Sequence, residues 1–103
     1  MKTIFEYRSS IILYNVLMRL SKEKPFILPS NICPIVITTF LKAKVPFICL
    51  DICLKTFEID RDLLLKKIKE RPDYYGGILW LRPYGLSRNN KKLFKSIKKI
   101  NNN

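Results

Sequence analysis

The chain contains no histidine, and its three cysteines, Cys33, Cys49 and Cys53, are spaced 16 and 4 positions apart. A tetrahedral zinc site draws four Cys or His ligands, usually from close pairs. There is no His and no Cys-x-x-Cys pair, so no metal site is expected. Cys53 has no partner base close by in sequence, and Cys49 sits inside an apolar stretch and reads as a core residue. Cysteine-nucleophile chemistry is therefore set aside. Glycine is scarce, with three in all, and neither standard glycine-rich phosphate loop occurs. No uninterrupted apolar run approaches the roughly 18 residues that a spanning helix needs. The first twenty residues come nearest, but Glu6, Arg8, Asn15 and Arg19 interrupt them. This pattern, with no signal peptide, reads as cytoplasmic with no membrane partner.

Acidic residues are also few, 8 against 20 basic ones, giving a net charge of +12. No two carboxylates can be placed as an acid–base pair. Residues 87–103 carry six basic and no acidic side chains, so half of the net charge sits in the tail. A folded nucleic-acid footprint would instead concentrate charge on one surface, which argues against nucleic acid as a partner.

The residues that are present suit one domain of an α/β protein. The chain has 103 residues and a 48% apolar composition, normal for a globular fold. Ser9 or Ser10 can cap a helix to about Leu20, with Ile12, Leu13, Val16, Leu17 and Leu20 at helical spacing. So broad an apolar stripe predicts more than one neighbour. Phe26-Ile27-Leu28 reads as a short buried strand stopped by Pro29. Ser30 or Asn31 is expected to cap the next helix, with Pro34 in its first turn and its end near Ala43. Phe47-Ile48-Cys49-Leu50 is continuously apolar, as an interior parallel strand should be.

Asp60 is the clearest cap, with Ile59 and Leu64 placed as a hydrophobic staple and Asp62 in the first turn. That helix should stop at Arg71, before Pro72. Residues 76–81, GGILWL, predict a third strand, and Pro83-Tyr84-Gly85 a turn. A basic C-terminal helix over 88–100 places Leu93, Phe94, Ile97 and Ile100 on one side and lysines on the other. The order is α-β-α-β-α-β-α. It predicts an α/β fold of three mostly parallel strands with flanking helices and two open sheet edges.

Most candidate site residues have a plain structural reading beside the functional one. Asp51 closes an apolar strand, where functional carboxylates occur in α/β folds, but it can equally hold the following turn. Ser9 and Ser10 can present hydroxyls and amides to a phosphate or simply cap a helix. Lys91, Lys92, Lys95, Lys98 and Lys99 read first as a solvated helix face and second as a contact for nucleic acid or an anionic membrane. Trp80 lies within a strand and reads as packed.

Residues 28–60, LPSNICPIVITTFLKAKVPFICLDICLKTFEID, and then ILWLRPYG resemble the early large domain of the DegT/DnrJ/EryC1/StrS sugar aminotransferases. These are pyridoxal-phosphate enzymes of fold type I. The resemblance runs from about Tyr7 to Ile100. It implies that residues 1–103 are an incomplete N-terminal portion of that large domain. It also implies a cytoplasmic homodimer, or a complementing C-terminal chain as partner. The family's phosphate-holding start falls on Arg8-Ser9-Ser10, so Ser9 and Ser10 become cofactor-binding candidates. The ring-stacking aromatic falls on Cys33, the strand-end histidine on Arg82, and a glycine before the second strand on Lys44. The family's pyridine-pairing aspartate and Schiff-base lysine would follow Ile100. The expectation is a truncated or split aminotransferase with no catalytic residue of its own. The alternative is a small basic nucleic-acid-binding protein working through the C-terminal helix.

Overall fold

A computed structural model describes residues 9–20, 23–81 and 90–101 of the chain. Its elements are α1 (Ser9–Arg19), β1 (Phe26–Pro29), α2 (Pro34–Ala43), β2 (Phe47–Leu50), α3 (Arg61–Glu70), β3 (Gly77–Ile78) and α4 (Lys91–Ile100). This is the expected order. The three strands form one sheet in the order β2-β1-β3, and both pairings are parallel. Phe26 stands opposite Phe47 and Gly77, and Ile27 opposite Ile48 and Ile78.

Alternation along β1 divides the core. Phe26 and Leu28 face α1 and α2, where Leu17, Phe40, Ala43 and Val45 are buried with them. Ile27 faces the other way, into Leu50, Ile59, Leu64, Ile68 and Tyr75, with Ile97 and Ile100 of α4 packed against that cluster. One helix pair therefore covers each side of the sheet. On the α1–α2 side Phe40 meets Phe26 and Phe47 edge-on, with centroids 5.5 and 5.7 Å apart.

The helix signals hold best at α3. Asp60 accepts from the backbone N–H groups of Asp62 and Leu63, and Ile59 and Leu64 are buried in one cluster. The helix ends at Glu70, with Arg71 as its C-cap. Four expectations need correction. The N-cap of α2 is Cys33, not Ser30 or Asn31, and it makes no side-chain capping bond. Ser30 and Asn31 instead form the turn that leaves β1, where the Ile32 N–H bonds the Pro29 carbonyl. The basic helix covers 91–100 rather than 88–100, with Asn90 at its N-cap. Cys49 is exposed, because β2 is an edge strand rather than an interior one.

The fourth correction is β3, which ends at Ile78 instead of running to Leu81. Odd-numbered groups of β1 face β3: Pro25 O accepts Gly76 N–H, and Ile27 O accepts Leu79 N–H. Even-numbered ones face β2, as in Phe26 N–H to Pro46 O and Ser30 N–H to Leu50 O. The next donor toward β3 would be residue 29, and proline has no N–H. Pro29 thus stops the ladder to β3 while β2 continues. Gly77 permits the close approach on the other side, since a Cβ there would sit 2.5 Å from the Phe26 ring.

The turn at residues 83–85, Arg8, Arg82 and the start of the expected basic helix lie outside the described residues.

Candidate functional site at the carboxyl end of the sheet

In a parallel sheet the strands point their carbonyl ends the same way, and the loops leaving them build ligand sites. Here that end carries the Ser30–Cys33 turn after β1, Asp51 after β2 and Trp80 after β3. The first turn of α2 opens there because its helix must run back along the sheet to start β2. A short connection joins α1 to β1, so α1 also runs against the strands and opens at the same end. Ser10, Ile11 and Tyr14 of α1 line one groove together with Ile35, Thr38, Thr39 and Lys42 of α2.

Two of the three sequence candidates, Ser9 and Ser10, form the first turn of α1. Ser9 is exposed, and Ser10 is half-buried and lines that groove, whose volume is about 500 Å³. The groove floor holds Thr38 and Thr39, whose hydroxyls donate to the carbonyls of Pro34 and Ile35 at 3.1 and 2.7 Å. Cys33 stands one position before α2, exposed, and lies outside the groove lining. The N–H groups of a helix start, with its partial positive charge, favour an anion. This end of α1 can therefore meet a phosphate, while the Cys33 thiol offers no face for stacking.

Asp51 holds the following turn through its backbone, and the residue is exposed. Its backbone carbonyl accepts the Asp60 N–H at 3.0 Å, and Ile52 and Ile59 form an antiparallel bridge. Residues 51–60 are thus a hairpin-like loop. At its bend Phe57 takes φ 57°, a left-handed conformation unusual for a bulky residue. The Phe57 N–H bonds Cys53 O, and Asn31 Nδ2 donates to Phe57 O at 3.1 Å, tying the loop to the exit of β1. The same bend turns the Lys55 backbone N–H onto the Cys53 thiol, lowering its pKa below the ordinary cysteine value against the opposing effect of burial. Among the described residues no cluster of three His, Cys, Asp or Glu side chains comes together.

Sequence reasoning missed a buried polar cluster at the same end. Glu58, almost fully buried, accepts from Trp80 Nε1 at 3.1 Å and from Asn90 Nδ2 at 3.4 Å. Arg61 donates to Asn90 Oδ1. Trp80 then meets Phe94 edge-on at 5.5 Å. These contacts bind the end of β3 and the starts of α3 and α4 to the 51–60 loop. Their partners lie 22 to 32 positions apart in sequence. The one signal in the sequence was a carboxylate set in an otherwise apolar-flanked stretch, Phe57-Glu58-Ile59.

A parallel sheet in this order, with a helix pair on each face, is the architecture of a fold-type-I aminotransferase large domain. Among solved structures, the chain is similar to a Streptococcus pneumoniae protein described as a sugar aminotransferase. Its PLP form and its PMP form each give a TM-score of 0.66 at 22% identity. The match covers 88% of this chain and 22% of that one, so the chain spans about a fifth of the protein it resembles. At that identity the likeness is one of fold. No family model matches the chain, and no curated protein does so significantly.

Proposed function

We infer that this chain forms an N-terminal part of the large domain of a pyridoxal-phosphate-dependent aminotransferase of the sugar type. In this reading it supplies the phosphate end of the cofactor site and none of the amino-transfer chemistry. The observation that carries the reading is the coincidence of fold and place. The chain matches the aminotransferase fold over 88% of its length, and Ser9 and Ser10 open a helix at the carboxyl end of the sheet. Amino transfer needs a Schiff-base lysine that also moves the proton, and the cofactor supplies the electron sink.

The residues present fit only half of the cofactor. The first turn of α1, with two hydroxyls and the N–H groups of a helix start, suits the phosphate. The ring end is not served, because Cys33 occupies the stacking position and is an exposed thiol. No catalytic step is therefore assigned to these residues. A complementing polypeptide, on a longer chain or a separate one, would provide the lysine and the carboxylate for the ring nitrogen.

The test is a titration of the isotopically labelled chain with pyridoxal phosphate, pyridoxal and inorganic phosphate, followed by amide NMR. Shifts at Ser9 and Ser10 with the two phosphate-bearing ligands, and none there with pyridoxal, are expected. Shifts confined to Lys91–Lys99 would favour the polyanion-binding alternative. Borohydride reduction with peptide mapping should find the pyridoxyl label spread over surface lysines. A single stoichiometrically labelled lysine would contradict the absence of a Schiff-base residue.

A further inference from the structure

We propose that the α3–α4 side of the sheet binds single-stranded nucleic acid, with backbone phosphates on lysines of both helices and a base in the recess that the two helices share. The proposal does not rest on the cofactor reading. In the sequence, half of the net charge sits in a tail; in the structure that tail helix packs beside α3 on one cluster. Arg61 at the start of α3 donates to Asn90, the N-cap of α4. At the far end of α4, Asn101 reaches the carbonyl of Tyr75, a few residues beyond α3. The two helices therefore run side by side in one direction. Counted from their shared start, Lys66 and Lys69 of α3 stand level with Lys95 and Lys98 of α4, and all four are exposed. Packed helices lie about 8–10 Å apart, so these lysines form two parallel rows. Together α3 and α4 carry nine basic side chains and two acidic ones, Asp62 and Glu70.

The recess selects among anionic partners. Ile68 of α3, Tyr75 and Ile78, and Phe94, Ile97 and Lys98 of α4 line a space of about 220 Å³. Phe94 is 39% exposed there, an aromatic surface in the same lining as the Lys98 side chain. Every base has a face that can stack on such a ring, and the lysines hold the phosphates on either side. A duplex keeps its bases stacked inside and would leave the recess unfilled. A membrane surface calls for an apolar face that can enter the lipid, and α4 spends Leu93, Ile97 and Ile100 on the core. A single strand supplies both parts, phosphates for the rows and an unpaired base for the recess.

Fluorescence anisotropy of the full chain with a labelled single strand of about 15 nucleotides tests this, beside a duplex of equal length and vesicles containing phosphatidylserine. The single strand should bind at least tenfold more tightly than the duplex. Four lysine contacts predict a slope of log K against log salt of about −3. The paired substitutions Lys66→Gln with Lys69→Gln, and Lys95→Gln with Lys98→Gln, should each weaken binding about tenfold and flatten that slope by about 1. Phe94→Ala should weaken binding at least fivefold and leave the slope unchanged. In the unaltered chain, the strand should also quench Trp80, whose ring lies 5.5 Å from that of Phe94. Lys44→Gln, on the other side of the sheet, should change affinity less than twofold. Far-ultraviolet circular dichroism checks that each variant is folded. Loss confined to the α4 substitutions would reduce the surface to a basic tail and overturn the proposal. Equal affinity for the duplex, preference for the vesicles, or no binding at about 0.05 M salt would also overturn it.

Discussion

The two sides of the sheet bury comparable cores but finish their outer surfaces in opposite ways. On one side α4 is sharply amphipathic: Leu93 is buried, Ile97 and Ile100 pack on the sheet, and Lys91, Lys92, Lys95, Lys98 and Lys99 are exposed. Its ends are fastened by polar contacts, Asn90 to Glu58 and Asn101 Nδ2 to the Tyr75 carbonyl at 3.0 Å. On the other side α1 and α2 pack around Phe40 and leave apolar side chains outside. A lysine-clad surface is complete in water, and an aliphatic one is complete only when covered. The contrast separates what this sequence needs to fold from what it offers to a partner.

The largest effect should come from emptying either core. Phe40→Ala removes the ring that meets Phe26 and Phe47 and should cost about 3–5 kcal/mol in denaturant unfolding. Leu64→Ala on the opposite side should cost about 2–5 kcal/mol. If one of the two were nearly neutral, the sheet would not have two packed sides. Gly77→Ala sharpens the comparison at the centre. Its methyl group would push into the Phe26 ring from the β3 side and should cost about 1–3 kcal/mol. Asp60→Ala removes the α3 cap, expected to cost about 1 kcal/mol on the lysine-bearing side.

The smallest effect goes the other way. Lys44, the C-cap of α2, holds φ 58°, so Lys44→Gly should stabilise by about 0.5–1 kcal/mol, read as a higher denaturation midpoint.

Much of this was legible because the signals were local. Asp60, Ile59 and Leu64 declare α3 within five residues, and alternation along Phe26–Leu28 marks the central strand. The misreadings have non-local causes. Pro29 shortens β3 through a missing donor on a different strand. Cys49 was read as interior because an apolar tetrapeptide looks the same whether its strand is central or at an edge, and strand order is not written locally. The cap of α2 moved from Ser30 or Asn31 to Cys33 because the polar pair was used by the turn leaving β1, with Asn31 bonded to Phe57. The Glu58 cluster joins residues from three loops and leaves no periodic trace. For the site, Ser9 and Ser10 were read as caps but lie within the helix as the first described residues of α1, and their placement at the carboxyl end of the sheet follows from topology.

The most direct test of the account is the pairing of the strands, read from backbone NOEs in a labelled sample. The parallel order β2-β1-β3 predicts cross-strand contacts from Phe26 to both Phe47 and Gly77, and none between β2 and β3. Antiparallel Hα–Hα contacts between β1 and either neighbour, or direct pairing of Phe47–Leu50 with Gly77–Ile78, would contradict the sheet and the aminotransferase likeness built on it.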